Sequence, residues 1–220
     1  MGKVLVMLAF GVALTITVNA QWKEKIPAMQ SMTPKSDIIC YSKPEDQNTI
    51  VPPPLAYQQW KQNKNFKTNA TTFEVTYTGF PADAQAAFQK AVDIWSLLIE
   101  SDVPIRISAT WQVIENEGSS EGILGGANPG SYYINFNGAQ RLLTWYPVAL
   151  AEKIAGKELN AVTNPDIFAQ FNSAYSKWYF GTDGVPQSGK TDFVTVVLHE
   201  IGHGLGITKG YEVNGALGAI

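Results

Sequence analysis

Two segments of the chain alternate between apolar and polar residues, as half-buried β-strands do. The first covers residues 72–78, where Phe73, Val75 and Tyr77 are separated by polar side chains. The second covers residues 103–114, and its apolar face carries Ile105, Ile107, Ala109, Trp111 and Val113. Since successive side chains of a strand point to opposite faces, the pattern predicts two strands with one face against a core.

Two other segments carry apolar residues at helical spacing. Residues 82–100 predict a helix with an apolar stripe of Phe88, Ala91, Val92, Trp95, Leu98 and Ile99. The second predicted helix follows Thr191 or Asp192, either of which can cap it. Its stripe consists of Val194, Val197, Leu198, Ile201 and Leu205. Both helices are therefore expected to pack one side against the core.

The remaining pattern is weaker and consists of short segments. Residues 118–130 are rich in glycine and predict an exposed loop, whereas 131–136, 144–150 and 166–171 predict short strands. Residues 175–180 predict an edge strand just before the last helix. A strand, a long helix, several strands and a helix indicate an α+β fold, with a mixed sheet and two helices against it.

The N-terminus has the pattern of a secretory signal peptide over residues 1–20. Lys3 is followed by an apolar run of 15 residues and by small residues suited to cleavage before Gln21. The run is too short for a membrane anchor, so we expect a secreted protein with no stable membrane span after cleavage. Residues 21–65 contain many prolines and no lasting periodicity, which predicts an extension: a removable pro-segment or a strap packed across the domain.

Composition narrows the class of protein. Apolar residues make up 45% of the chain and charged residues 16%, which favours a folded core over disorder. The net charge of −3 excludes a strongly basic nucleic-acid surface. Cys40 is the single cysteine, so no disulfide framework forms within the chain. Four roles stay open for it: a free thiol, a partner in an intermolecular bridge, half of a bridge to a segment outside this sequence, or a thiolate that plugs a metal site in a latent precursor.

The strongest chemical signal lies in the last helix. The chain has two histidines, His199 and His203, and their spacing of four places them one turn apart on the same helix face. Two imidazoles so placed can bind one zinc ion. Glu200 leaves the helix about 100° away from His199, so it can reach a metal-activated water rather than the metal. The HExxH pattern thus predicts zinc ligands at His199 and His203 and a general base at Glu200.

The run Val196-Val-Leu-His-Glu-Ile-Gly-His-Gly-Leu-Gly206 resembles the active-site helix of secreted zinc metallopeptidases of the zincin class. Gly206, three residues after His203, makes it similar to the metzincins, in which this glycine turns the chain so that a third His meets the metal. The resemblance covers roughly residues 72–206 and implies that 66–220 form a zincin-like catalytic domain. It implies a twisted mixed sheet, a backing helix over 82–100 and an active-site helix.

The chain departs from the metzincin pattern in three respects. Lys209 occupies the position of the third His, and all four methionines precede residue 33, so the methionine turn is absent. The 17 residues after His203 do not accommodate a lower subdomain. We expect a truncated copy of a longer peptidase, with the third ligand beyond residue 220. Alternatively a local group completes the site, and Glu212 or Tyr211 is then the candidate third ligand.

Two functions from different classes follow. The first is a secreted zinc metalloendopeptidase that hydrolyses protein or peptide substrates through a zinc-activated water, with Glu200 as general base. The second is a noncatalytic degenerate zincin or secreted surface-binding module that keeps the helix without a complete metal shell. Stoichiometric zinc and turnover that depends on Glu200 favour the first, whereas weak zinc binding without turnover favours the second.

Overall fold

The computed structural model describes residues 27–34, 39–41, 52, 54–62, 70–115, 122–207, 212–214 and 217–219. The predicted signal peptide, 1–20, lies outside this part. The helices are α1 (Leu55–Gln62), α2 (Ala82–Leu98), α3 (Val148–Ala155) and α4 (Phe193–Gly204). The strands are β1 (Gln30–Met32), β2 (Cys40–Tyr41), β3 (Phe73–Thr78), β4 (Ile105–Gln112), β5 (Ile123–Pro129), β6 (Tyr132–Ile134), β7 (Tyr146–Pro147), β8 (Ile167–Asn172), β9 (Trp178–Tyr179), β10 (Thr191–Asp192), β11 (Glu212–Asn214) and β12 (Leu217–Ala219).

Five strands form the main sheet in the order β2-β5-β8-β4-β3. Strands β3, β4 and β8 are parallel to one another, and β5 runs antiparallel to β8. Strand β2 pairs antiparallel with the other side of β5 and so forms one edge of the sheet. The fold is therefore α+β with a mixed sheet, as the order of predicted elements indicated.

Helices α2 and α4 pack against each other and against the sheet. The core between them is aromatic, and Phe88, Phe171 and Phe193 are fully buried. The Trp95 indole N–H of α2 donates to the Leu198 carbonyl of α4 at 3.1 Å. None of the described helices is long and apolar enough to cross a membrane. The core thus fixes α4, which carries both histidines, beneath the sheet.

The strongly patterned segments have the predicted structure. Strands β3 and β4 lie within 72–78 and 103–114, and β8 covers most of 166–171 with one residue added. Helix α2 ends at Leu98, two residues before the predicted boundary. Two residues of the predicted apolar faces are exposed. Val113 follows the end of β4 and is 63% exposed, and Leu98 at the end of α2 is 40% exposed.

Strand β5 corrects the prediction of an exposed loop over 118–130. Residues Ile123–Pro129 form a strand in which every residue is buried. Glycine usually marks a turn, but here it permits close approach of two backbones. A Cβ on Gly125 would lie 2.5 Å from the Gln170 carbonyl oxygen on β8. Gly125 is therefore a packing feature of a strand inside the sheet.

Two further predictions were wrong in part. Over 144–150 the strand is limited to Tyr146–Pro147, and α3 begins at once with Val148. Pro147, with φ of −58°, is well suited to precede a helix, and the residues after it are mostly good helix formers. Over 175–180 the strand is limited to Trp178–Tyr179, which pairs in parallel with β10 in a separate two-stranded sheet.

Two buried carboxyl groups, of Glu152 and Asp166, accept hydrogen bonds that stabilise the segment preceding β8. Glu152 Oε1 accepts hydrogen bonds from the backbone N–H of Leu159 at 2.8 Å and of Asn160 at 3.1 Å. Asp166 accepts from the Arg106 backbone N–H and from the Asn160 side chain. Burial raises the pKa of Glu152 to about 7, although the two backbone hydrogen bonds oppose the shift. Glu152 is therefore protonated in the folded protein over a pH range where the unfolded chain is ionised.

This difference predicts that stability falls as pH rises from about 4.5 to about 7, because the unfolded state binds fewer protons there. The shift corresponds to about 3 kcal/mol of unfolding free energy. A Glu152→Gln variant should lose this dependence, which urea unfolding at pH 5 and pH 8 measures. Glu100→Gln, at an exposed position, is the matched control and should keep the wild-type dependence. An unchanged pH dependence in Glu152→Gln would contradict the assignment.

Candidate metal centre

Helix α4 is positioned by a cap at its first turn and by its buried stripe. The Asp192 carboxylate accepts from the Thr195 backbone N–H at 2.9 Å and from the Thr195 hydroxyl at 2.6 Å, as an N-cap does. Of the predicted cap residues, Asp192 is therefore the one used. Val194, Val197 and Ile201 are buried, whereas His199 on the other face is exposed. The helix thus presents its histidines away from the core.

The two imidazoles converge on one point. His199 Nε2 and His203 Nε2 are 2.9 Å apart, and the ring centroids are 4.4 Å apart at an interplanar angle of 82°. His203 Nδ1 lies 2.7 Å from the Ile207 carbonyl oxygen, and a carbonyl can only accept, so Nδ1 carries the proton. The lone pair of His203 is then on Nε2, the nitrogen that faces His199. This orientation is the one that a metal-ligating histidine needs.

Gly206 creates the turn that brings Ile207 under His203. Its φ is +101°, and its N–H donates to the His203 carbonyl at 2.9 Å. The Ile207 N–H donates to the Gly202 carbonyl at 2.9 Å and closes the turn. A Cβ on Gly206 would lie 2.5 Å from Pro147 Cγ. Both the backbone angle and the contact with Pro147 therefore require glycine here.

We expect Gly206→Ala to lower the unfolding free energy of the metal-free protein by about 1–3 kcal/mol, since it adds backbone strain and a steric overlap. It should also weaken zinc binding by about 10- to 100-fold, because the Ile207 carbonyl no longer orients His203. Urea unfolding and zinc titration measure the two effects. Gly156→Ala is the matched control, because Gly156 also has positive φ but a Cβ added to it would have no atom within 4 Å. Equal losses in both variants would contradict the role given to Gly206.

Cys40 lies beside the histidine pair, although it is far away in sequence. Its Sγ is 3.8 Å from His203 Nε2, and the ligand atoms of Cys40, His199 and His203 all lie within 4.8 Å of one another. A tetrahedral zinc shell places two His nitrogens about 3.3 Å apart and a sulfur about 3.6 Å from each nitrogen. The three side chains therefore fit a zinc ion after shifts of a few tenths of an ångström to about one ångström.

Glu200 leaves the helix about 100° away from His199 and is completely buried. It lies next to Cys40 and the Ala127 backbone of β5, but neither carboxylate oxygen makes a well-formed hydrogen bond within the described part of the chain. Burial raises the pKa of Glu200, while Cys40, His203 and the Ala127 backbone act in the other direction. A raised pKa makes the carboxylate a stronger proton acceptor.

The structure brings His199, Glu200 and His203 together and places Gly206 at the turn behind them. Of the proposed third ligands, Tyr211 lies outside the described residues, and Glu212 is described only by its backbone in β11. Lys209 also lies outside them. From the sequence, a thiolate that plugs a metal site was one of the roles left open for Cys40, but Cys40 was not among the proposed third ligands.

One comparison with known proteins gives a match. A sequence model of a family described as SPBPB7E8-like matches residues 43–216. The matched range contains His199, Glu200, His203 and Gly206. No curated protein and no solved structure matches the chain.

Proposed function

This chain belongs to the SPBPB7E8-like family, and we propose that it is a secreted zinc-dependent metalloendopeptidase of the zincin type. The name of the family gives no activity, so the proposal is based on the geometry of the site. One observation carries the proposal. Two imidazole nitrogens 2.9 Å apart share one helix with a neighbouring, fully buried carboxylate. Both histidine ligands and the general base are thereby held on one helix, and a rigid element of this kind positions a site more precisely than a loop does.

The side chains divide the chemistry between them. When bound, zinc would lower the pKa of a water molecule and polarise the carbonyl of the scissile peptide bond. Glu200 accepts the proton of the attacking water and delivers it to the leaving amine nitrogen. His203 is held in the ligating tautomer by the Ile207 carbonyl, so no reorientation is needed before metal binding.

The surroundings of the site support the same proposal. The mixed sheet with α2 and α4 packed against it is compatible with a zincin-like architecture, with α4 as active-site helix and α2 as backing helix. His199 is exposed, so a substrate can approach the histidine pair from solvent. The substrates would be proteins or peptides, and the predicted signal peptide over 1–20 would direct the protein out of the cell.

Zinc analysis combined with peptide hydrolysis tests the proposal. Purified protein should contain about one zinc per chain, and His203→Ala should lose it because a single remaining imidazole binds weakly. The wild type should cleave an unstructured peptide mixture, and a chelator should stop the cleavage. Bound zinc without any cleavage would reject the peptidase. Absence of zinc would reject both the cofactor and the mechanism, and would favour the noncatalytic surface-binding module.

A further inference from the structure

We propose that Cys40 is the third metal ligand, so that a strand of the N-terminal extension completes a shell of one thiolate and two imidazoles. The inference rests on the metal site of the proposed function but not on its peptidase activity. It supplies the ligand that the missing third histidine would provide in a metzincin. No ligand after His203 is needed for it.

The position of Cys40 is fixed by the sheet. Strand β2 pairs antiparallel with β5, and Cys40 lies opposite Gly125. Helix α4 packs against β5, so β2 brings the Cys40 side chain to the helix face that carries the histidines. Its Sγ is 3.8 Å from His203 Nε2. The pairing of β2 with β5 thus places the thiol next to the point at which the two imidazoles converge.

The chemistry of the three side chains matches zinc. Sulfur and imidazole nitrogen are the ligands that zinc prefers, and three protein ligands with one open position are typical of catalytic zinc sites. His199 is exposed while Cys40 and His203 are half-buried, so the open position faces solvent on the His199 side. The arrangement therefore leaves room for a water molecule or a substrate carbonyl.

A buried carboxylate lies beside this cluster of ligand atoms without being part of it. Glu200 is completely buried and lies next to Cys40 and the Ala127 backbone of β5. It is not among the side chains whose ligand atoms lie within 4.8 Å of one another, which are Cys40, His199 and His203. Cys40 therefore neighbours both the histidine pair and the carboxyl group proposed as the general base.

A consequence concerns the extension over 21–65. If Cys40 is a ligand, cleavage of the chain on the C-terminal side of Cys40 removes one of the three protein ligands of the metal. The extension then contributes a ligand to the site, and its removal should weaken zinc binding. The opposite arrangement, in which the thiol only blocks a site that is complete without it, predicts that loss of Cys40 increases peptide hydrolysis.

Cobalt absorption and thiol labelling test the ligand without any measurement of activity. Cobalt(II) bound to the full chain should show a thiolate-to-metal charge-transfer band that Cys40→Ala abolishes. Cys40 is the only cysteine, so maleimide labelling reports on it alone. Zinc should slow the labelling at least tenfold in the wild type and leave it unchanged in His203→Ala. A wild type that binds zinc but lacks the band and the protection would overturn the proposal.

Zinc titration of two neighbouring variants separates ligation from support of the strand. Cys40→Ala should weaken zinc binding at least tenfold. Tyr41→Ala alters the next, exposed residue of β2 and should keep the wild-type affinity. If Cys40→Ala binds zinc as tightly as the wild type and hydrolyses peptides faster, the thiol is a plug and the proposal is wrong.

The two proposals fail in different ways. A charge-transfer band and zinc protection in a protein that cleaves no peptide would support Cys40 as ligand and reject the peptidase. Chelator-sensitive cleavage in a protein without the band would support the peptidase and reject Cys40. A chain that binds neither cobalt nor zinc would reject both.

Discussion

Replacing Glu200 with Gln should reduce kcat/KM for peptide hydrolysis by about 10²- to 10⁴-fold while the zinc content stays at the wild-type level. The amide has nearly the same shape as the carboxylate but does not accept a proton from water. Glu200 is completely buried and is not among the three side chains whose ligand atoms converge, so the isosteric change leaves the proposed ligands in place. A loss of turnover with the metal retained is the result that a general base predicts and a ligand does not.

Steady-state kinetics and elemental analysis on the same preparation measure the two quantities. The matched control is Glu100→Gln, the same substitution at an exposed position, which should retain wild-type kcat/KM. Wild-type turnover in Glu200→Gln would rule out the proposed mechanism. Loss of zinc together with turnover would instead indicate that Glu200 supports the metal shell.

Replacing Phe193 with Ala should lower the unfolding free energy by about 3–5 kcal/mol. Phe193 is the first residue of α4 and is fully buried. Its ring centroid lies 5.1 Å from that of Phe171 and 4.9 Å from that of Trp178, so the truncation leaves a cavity among aromatic rings. Because this residue fastens the start of the helix that carries the site, the variant should also bind zinc more weakly.

Urea unfolding of the metal-free protein measures the loss directly. Phe168→Ala is the matched control, because Phe168 lies on the neighbouring strand β8 but is 50% exposed. That variant should lose less than about 1 kcal/mol. Similar losses in the two variants would contradict the view that burial of Phe193 in the aromatic core holds the start of α4 against the sheet.

The elements predicted correctly from the sequence have one buried and one exposed face. Strand β4 is an example, because Ile105, Ile107 and Ala109 are buried while the residues between them are partly exposed. The histidine pair was predictable for a similar reason, since a spacing of four on a helix fixes both side chains on one face. In each case the local period determines the geometry, and no distant contact is needed.

The elements that were missed depend on neighbours far along the chain. Strand β5 is buried on both faces, so its sequence shows no alternation of apolar and polar residues. The need for glycine at Gly125 is apparent only from the close approach of the β8 backbone. Cys40 is 163 residues away from His203 in sequence, and the two-residue strand that carries it is too short to show a period. A contact of this kind becomes visible only when the order of strands in the sheet is known.

The strand order of the main sheet also constrains the order in which the strands can pair during folding. Strand β2 leaves the ribosome long before its partner β5, and β5 lies between β2 and β8, which is synthesised later still. Strand β8 lies between β5 and β4 and is synthesised after both, so the sheet is complete only when β8 inserts between them, and such long-range pairing favours slow folding. Cys40 and the histidines then meet late, after the sheet and α4 have been assembled. A metal ion bound by Cys40 and the two histidines would therefore stabilise the completed fold and not an early folding intermediate.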